Sequence, residues 1–270
     1  MPMPTGFETC IAELLETTKN IEGFLSEREV RFLALLAACP TAEGEILEIG
    51  SFKGKSTIVL AKSALLTGKD NVVAVDPLTS PSITDPALSG AESSLKDLQA
   101  NLRDAGVENC VEFHHEYSSE LAEGWNRNVR LLWIDGDHTY SGTKADFEMF
   151  SPFLVNGGIV AMHDVVHVSR AFEGPIRVFM EDVLLSGSFG PAGICGSIGW
   201  AQYLEDSNTG LKYGHKKADL HRRLSRLLPY HLSRRDPKGF VKIMYKILRS
   251  RIPHSEVDPA EWLRKVVFVE

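Results

Sequence analysis

Apolar positions recur along this chain in two rhythms. Between Phe7 and Ala38 they fall at helical spacing, which predicts two helices with a break near Glu22-Gly23. Ser26 with Glu29 three residues later is a capping-box signature, and Val30, Leu33, Ala34 and Ala37 supply the apolar stripe of the helix behind it. After Pro40 short apolar runs take over: Glu45 to Ile49, Asn71 to Val75, Val111 to His115, Arg130 to Asp135 and Gly157 to Asp164. The run NVVAV (Asn71 to Val75) is continuous enough for a strand buried on both faces. Helical patterns separate the runs, from Lys55 to Leu66, Glu92 to Asp104, Ser141 to Phe153 and Arg170 to Ser186. Ile194 to Leu204, with Gly196 and Gly199, predicts a final strand or hairpin. Pro77 to Ala91 is rich in Pro, Ser and Thr and too long for an ordinary connection, so it reads as a lid-type loop. This alternation predicts an α/β fold with a doubly wound, mostly parallel sheet. The expected division is an N-terminal helical cap (1–40), a central domain (41–206) and a basic helical C-terminal appendage (207–270).

Composition changes the picture little. With 270 residues, 43% hydrophobic and 24% charged, the chain can hold one large α/β domain with appendages. Cys10, Cys39, Cys110 and Cys195 lie far apart with no C-x-x-C pair, which signals neither a zinc knuckle nor a disulfide framework. A reducing, cytoplasmic setting is expected. The start lacks a secretory pattern, and the longest apolar runs, such as Phe32 to Pro40, are about half of the ~20 residues a membrane span needs.

Charge changes it more. The net charge is −7, yet Leu211 to Arg251 holds thirteen Lys/Arg against two acids, a local +11. Within it Lys238, Lys242, Lys246 and Arg249 recur at helical intervals, with Phe240, Ile243, Met244, Ile247 and Leu248 on other faces. Such a helix can lie in a membrane interface, which predicts peripheral membrane contact. Packing on the main domain or in a homo-oligomer is the competing reading. Few aromatics are interleaved with the cations, so no nucleic-acid partner is expected.

The candidate chemistry starts at GEILEIGSFKGKSTIVLAKS (Gly44 to Ser63), an apolar run, a glycine turn and a helix start. Backbone N–H groups at such a start suit an anion, and glycines let a ligand approach the backbone. A dinucleotide fingerprint needs G-x-G-x-x-G, which is absent here. A P-loop needs four residues between its first glycine and Gly-Lys-Ser; Gly50 and Gly54 enclose three. The remaining pattern, E-x-G-x-x-x-G over Glu48, Gly50 and Gly54, resembles the first motif of class I S-adenosylmethionine (SAM) methyltransferases. In open α/β sheets ligands bind beyond the carboxyl ends of the strands. Each expected end carries a polar residue: Glu48, Asp76, Tyr117-Ser118, Asp135 and His163-Asp164.

The second half, IDGDHTYSGTKADFEMFSPFLVNGGIVAMHD, resembles the macrocin O-methyltransferase-like group, which acts largely on sugar hydroxyls. The resemblance implies a seven-stranded Rossmann-like sheet and S-adenosyl-L-methionine as cofactor. It implies that Glu48, Gly50, Ser51, Gly54 and Ser56 lie by the amino-acid part of SAM, and that Asp76 accepts from both ribose hydroxyls. Tyr117 and Ser118 match the adenine side, and Asp135 is shared between cofactor and metal. His138 matches the proposed base, which makes it and Asp135 the catalytic pair. A divalent ion such as Mg²⁺ would sit on Asp135, His163 and Asp164, where the family usually has Glu-Asp in place of His163-Asp164. The implied acceptor is a small-molecule, sugar, glycolipid or natural-product hydroxyl. A neutral alcohol needs such a base or metal to attack a sulfonium methyl near pH 7. Asp137 could orient His138 or bind the metal, while His114, His115 and His167 read as surface or supporting groups. Asp146 and Glu148 read as solvated. Two rivals stay open: a P-loop-like nucleotide-binding protein, and a non-catalytic SAM-fold module that binds a partner.

Overall fold

The computed structural model describes residues 3–68, 72–79, 95–169, 172–233 and 236–268. Two N-terminal helices, α1 (Phe7–Lys19) and α2 (Glu27–Ala38), precede the sheet. The expected capping box forms, since the Ser26 amide and hydroxyl both donate to the Glu29 carboxylate, at 2.8 and 2.6 Å. Then β1 (Glu45–Ile49), α3 (Lys55–Leu65), β2 (Val72–Val75), α4 (Leu95–Asp104), β3 (Val111–His114), α5 (Ser118–Gly124) and β4 (Val129–Ile134) alternate. α6 (Tyr140–Phe150), β5 (Leu154–Met162) and α7 (Gly174–Val178) follow, α7 running on into a π-helical turn over Phe179–Leu184. A hairpin of β6 (Phe189–Cys195) and β7 (Ile198–Tyr203) completes the sheet. The expected lid-type loop falls outside the described residues from position 80 onward, as do positions 92–94 of the expected Glu92 helix.

The sheet has seven strands in the order β3-β2-β1-β4-β5-β7-β6. β1 to β5 pair in parallel, and β7 is antiparallel to both β5 and β6. The chain therefore winds outward from β1 to one edge, then from β4 to the other. The crevice between β1 and β4 is the topological switch point where ligands of such sheets bind.

Side chains alternate between two cores. Ile46, Leu131, Trp133, Ile159 and Trp200 pack towards α1, α2 and α3; Leu47, Ile49, Leu132, Ile134, Val160 and Met162 pack towards α6, α7 and the π-turn. The C-terminal residues join both. α8 (Ser207–Leu211), α9 (Gly214–Leu224), α10 (Leu228–His231) and α11 (Gly239–Arg249) follow the sheet edge, and α12 (Pro259–Lys265) returns to the first face. There Trp262 is fully buried, edge-on to Trp200 and Phe32 at 4.8 and 5.8 Å between ring centres. Gln202 fixes Val267 beyond α12, accepting from its amide at 2.8 Å and donating to its carbonyl at 2.6 Å.

Candidate active site

One cleft of about 1130 Å³ opens over the carboxyl ends of β1, β2, β4 and β5. Its floor is the turn after β1. Gly50 sits at φ 89°, and a Cβ there would lie 2.3 Å from the Asp135 carbonyl oxygen, so only glycine lets the turns after β1 and β4 meet. Gly54, at φ 86°, is the left-handed residue that starts α3. Phe52, Leu78 and Asp164 are non-glycines at positive φ, and all three line this cleft. Backbone held in so sparsely populated a region is typical of functional sites.

Asp76 closes the floor. Its Oδ2 accepts from the Ser51 and Phe52 amides, each at 2.7 Å, and its Oδ1 from the Leu78 amide at 2.7 Å. The N–H groups expected to be an open anion site are thus partly satisfied by the protein's own carboxylate. Glu48 departs further from expectation. It lies on the same strand face as Ile46, fully buried against α3, where Thr57 and Ser51 hydroxyls donate to its Oε2 at 2.5 and 3.2 Å. It braces the turn from beneath and does not line the cleft. Burial pushes its carboxyl up to about 7, against the hydroxyls of Ser56, Thr57 and Ser51 and with repulsion from Asp135 added. Ser51 and Ser56 do line the cleft.

On the flank Tyr117 is exposed at the rim and precedes α5. The Ser118 hydroxyl donates to Asp146 at 2.6 Å. Asp146 was expected to be solvated; it is buried on the inner face of α6, and burial raises its carboxyl to about 6 against the Ser118 bond. Glu148, two positions on, is exposed and pairs with Lys144 at 3.2 Å.

The acid and imidazole groups of β4 and β5 meet at the wall. His138 Nε2 lies 3.4 Å from Asp164 and 3.6 Å from Asp135. Its ring stacks on Phe172 at 4.1 Å and 5°, and its carbonyl accepts from the Gly174 amide at 2.9 Å. A Cβ at Gly174 would lie 2.6 Å from that carbonyl oxygen, so the start of α7 fixes the histidine's backbone. Burial opposes a charge on His138, but Asp135 and Asp164 outweigh it and raise its pKa to about 10. Asp137 takes neither expected role visibly, its Oδ1 accepting from the Thr139 amide at 2.8 Å.

The expected metal set changes one member. Single ligand atoms of Asp135, His138 and Asp164 lie within 4.8 Å of one another. His163 instead turns Nδ1 to Asp135 at 3.1 Å and Nε2 towards Glu29 at 4.0 Å. Burial disfavours its charge, yet Asp135 and Asp164 hold its pKa well above the ordinary range. His163 thus sits buried between Asp135 and Glu29, outside the three-residue cluster. Glu29 stands behind it, also accepting from the Ser197 amide and hydroxyl at 2.6 Å. Burial raises the Glu29 pKa, but His163, Ser197 and Ser26 together lower it to about 2.

Other residues reach the site without having been expected there from the sequence. Phe172 shapes the wall beside His138, and Arg249 of α11 reaches the cleft. His231 Nδ1 lies 3.1 Å from the Phe172 carbonyl, and the Tyr245 hydroxyl donates to the Val166 carbonyl at 2.7 Å. The C-terminal helices thereby brace the loop that carries Phe172. His167 lines the cleft near Phe172, whereas His114 and His115 bond Glu112, Glu116 and the Pro77 carbonyl nearer the surface.

Comparison with known proteins gives this geometry relatives. Residues 47–165, which carry the turn, Asp76 and all three members of the acid–imidazole cluster, match the family described as methyltransferase domain. This part of the chain is similar to a methyltransferase domain. The sheet order is that of the class I, Rossmann-like methyltransferase fold. An O-methyltransferase from Bacillus cereus solved with SAH is 21% identical, covering 72% of this chain and 90% of its own, with a TM-score of 0.50. TomG from Streptomyces achromogenes, an O-methyltransferase of tomaymycin synthesis solved with SAM, is 18% identical over 72% of this chain and 89% of its own, with a TM-score of 0.52. The O-methyltransferase NovP is 12% identical over 74% and 98%, with a TM-score of 0.58. At these identities the likeness is one of fold. An uncharacterized protein of Acanthamoeba polyphaga mimivirus is 23% identical over 121 residues, which are 44% of this chain and 50% of that protein. The chain thus spans about half the length of this curated relative. Within the matched stretch the strand-end residues Gly50, Asp76, Asp135 and Asp164 share a single cleft.

Proposed function

We propose that the protein transfers a methyl group from S-adenosyl-L-methionine to a hydroxyl of a small-molecule acceptor, a sugar, glycolipid or related natural product. The observation that carries this reading is the convergence of the glycine turn, Asp76 and the Asp135–His138–Asp164 cluster on one cleft. Its volume of about 1130 Å³ exceeds the range of a typical single-ligand pocket, ~300–1,000 Å³, so a cofactor and an acceptor fit together.

The residues fit SAM with one adjustment. A carboxylate offers about four lone-pair positions, and amides already occupy three of those on Asp76. Asp76 therefore accepts from one ribose hydroxyl while its turn bonds stand, rather than from both. Tyr117 and Ser118 flank the adenine end. Ser51, Gly50 and Ser56 form the floor at the other end.

The donor set also fits a divalent cation, since two carboxylates and an imidazole suit Mg²⁺, Mn²⁺ or a softer ion. Asp135, His138 and Asp164 would hold it, and it would supply a lowered pKa for the acceptor hydroxyl. Without such an ion His138 keeps its own proton at neutral pH, because Asp135 and Asp164 flank it. It then donates a hydrogen bond that orients the acceptor oxygen, and the proton that the hydroxyl loses as the methyl arrives passes to the carboxylate of Asp135 or Asp164. His163 and Glu29 keep both acids aligned, and Phe172 shields the imidazole from water. The rest of the rate comes from holding oxygen, methyl carbon and sulfur in line.

Mass spectrometry of products formed from SAM and a panel of hydroxylated acceptors tests the reading. A product heavier by one methyl, lost in His138→Ala, supports it; no methylated product with any acceptor class despite SAM binding favours the non-catalytic module. Turnover unchanged by EDTA would remove the ion and leave the cluster as an acid–imidazole device.

A further inference from the structure

α11 carries a surface that the methyltransferase site does not use. Tyr245 points inward and is buried, with Met244, Leu248 and Arg249 partly covered on the same side. On the outer side Phe240, Ile243 and Ile247 stand in line at positions i, i+3 and i+7, with 74%, 55% and 42% of their surfaces exposed. Val241 beside them is half exposed. Lys238, Lys242 and Lys246 are exposed as well, Lys246 one turn from Ile243 and the other two further round the helix. An aligned row of large apolar side chains left in water by its own domain, on a helix whose polar side carries cations, is the pattern of a helix that lies in a bilayer interface.

We propose that α11 seats the protein on an anionic lipid bilayer, with Phe240, Ile243 and Ile247 entering the headgroup–acyl boundary and the lysines meeting lipid phosphates and carboxylates. Charge selects this occupant. Leu211 to Arg251 carries a local +11, so two copies meeting through α11 would bring lysine against lysine. A bilayer rich in acidic headgroups complements both the apolar stripe and the lysines. Spanning is excluded for this helix: none of the described helices is long and apolar enough to cross a membrane. Arg249, on the opposite side of α11, lines the cleft, so a seated protein holds the cleft one helix away from the lipid surface. The inference concerns binding only and stands or falls apart from methyl transfer.

The experiment is co-sedimentation of the full chain with vesicles of phosphatidylcholine and phosphatidylserine, against vesicles of phosphatidylcholine alone. A parallel sample carries Phe240→Glu, Ile243→Glu and Ile247→Glu, exposed positions whose replacement leaves the core intact, with folding checked by circular dichroism. The expected result is sedimentation with the anionic vesicles at low salt, weakened by high salt and at least about tenfold weaker for the triple variant. No sedimentation of the folded full chain with anionic vesicles at low salt overturns the proposal. Equal binding by the triple variant overturns it too. So does light scattering that shows a dimer lost only in that variant, which would make the stripe a contact between copies.

Discussion

Replacing Glu48 by Gln is expected to stabilise the protein at alkaline pH and to leave cofactor binding nearly unchanged. Glu48 is fully buried beneath the turn after β1, and burial raises its carboxyl from 4.5 to about 7. That displacement is worth ~3 kcal/mol of preference for the neutral form. The folded protein binds the proton more tightly than the unfolded chain, so this contribution is fully present below about pH 4.5 and is lost as pH rises through 7. At pH 8 Glu48 is a buried anion held only by hydroxyls and repelled by Asp135. Glutamine keeps a carbonyl oxygen for the Thr57 and Ser51 hydroxyls and carries no charge. Urea unfolding of both proteins between pH 5 and 8 should show Glu48→Gln about 1–3 kcal/mol more stable at pH 8, the gap closing towards pH 5. Other groups titrate in this range, Asp146 among them with its carboxyl raised to about 6. The difference between the two proteins cancels them. A gap that does not change with pH, or a variant less stable than the parent at pH 8, would refute the reasoning. Loss of SAM binding in the variant would show instead that Glu48 touches the cofactor.

Gly50→Ala should cost about 2–4 kcal/mol, from a left-handed alanine and its clash with the Asp135 carbonyl, read as a lower urea midpoint. An unchanged midpoint would mean that the two turns can part freely. Phe172→Ala should lower kcat at least about tenfold with the KM for SAM within about threefold, because it frees the His138 ring without touching the cofactor end. Equal losses in both constants would make Phe172 a general structural support instead.

The central strands were legible because residues buried on both faces leave continuous apolar runs, as NVVAV does. The glycine turn was legible because its spacing has few physical alternatives. What escaped is non-local. Helical periodicity gives Asp146 a face of α6, but only the approach of Ser118 from α5 shows that this face is covered. The same pattern that marks Ser26 and Glu29 as a helix cap cannot reveal that Glu29 also reaches Ser197 and His163, far along the chain. His163 and His138 were both placed beside the acids. Which nitrogen faces which oxygen depends on Glu29 behind one ring and Phe172 against the other. Burial of Trp262 against Trp200 likewise depends on a return of the chain that no local pattern records.

Titration calorimetry of SAM and S-adenosylhomocysteine, on the parent protein and on Asp76→Ala, tests the central claim most directly. The account predicts one site per chain for either ligand, mutually competitive. It predicts binding weaker by about 1–3 kcal/mol in the variant, from the lost ribose contact and the loosened Ser51–Phe52 turn. No heat with SAM, or binding of Mg·ATP in its place, would contradict it.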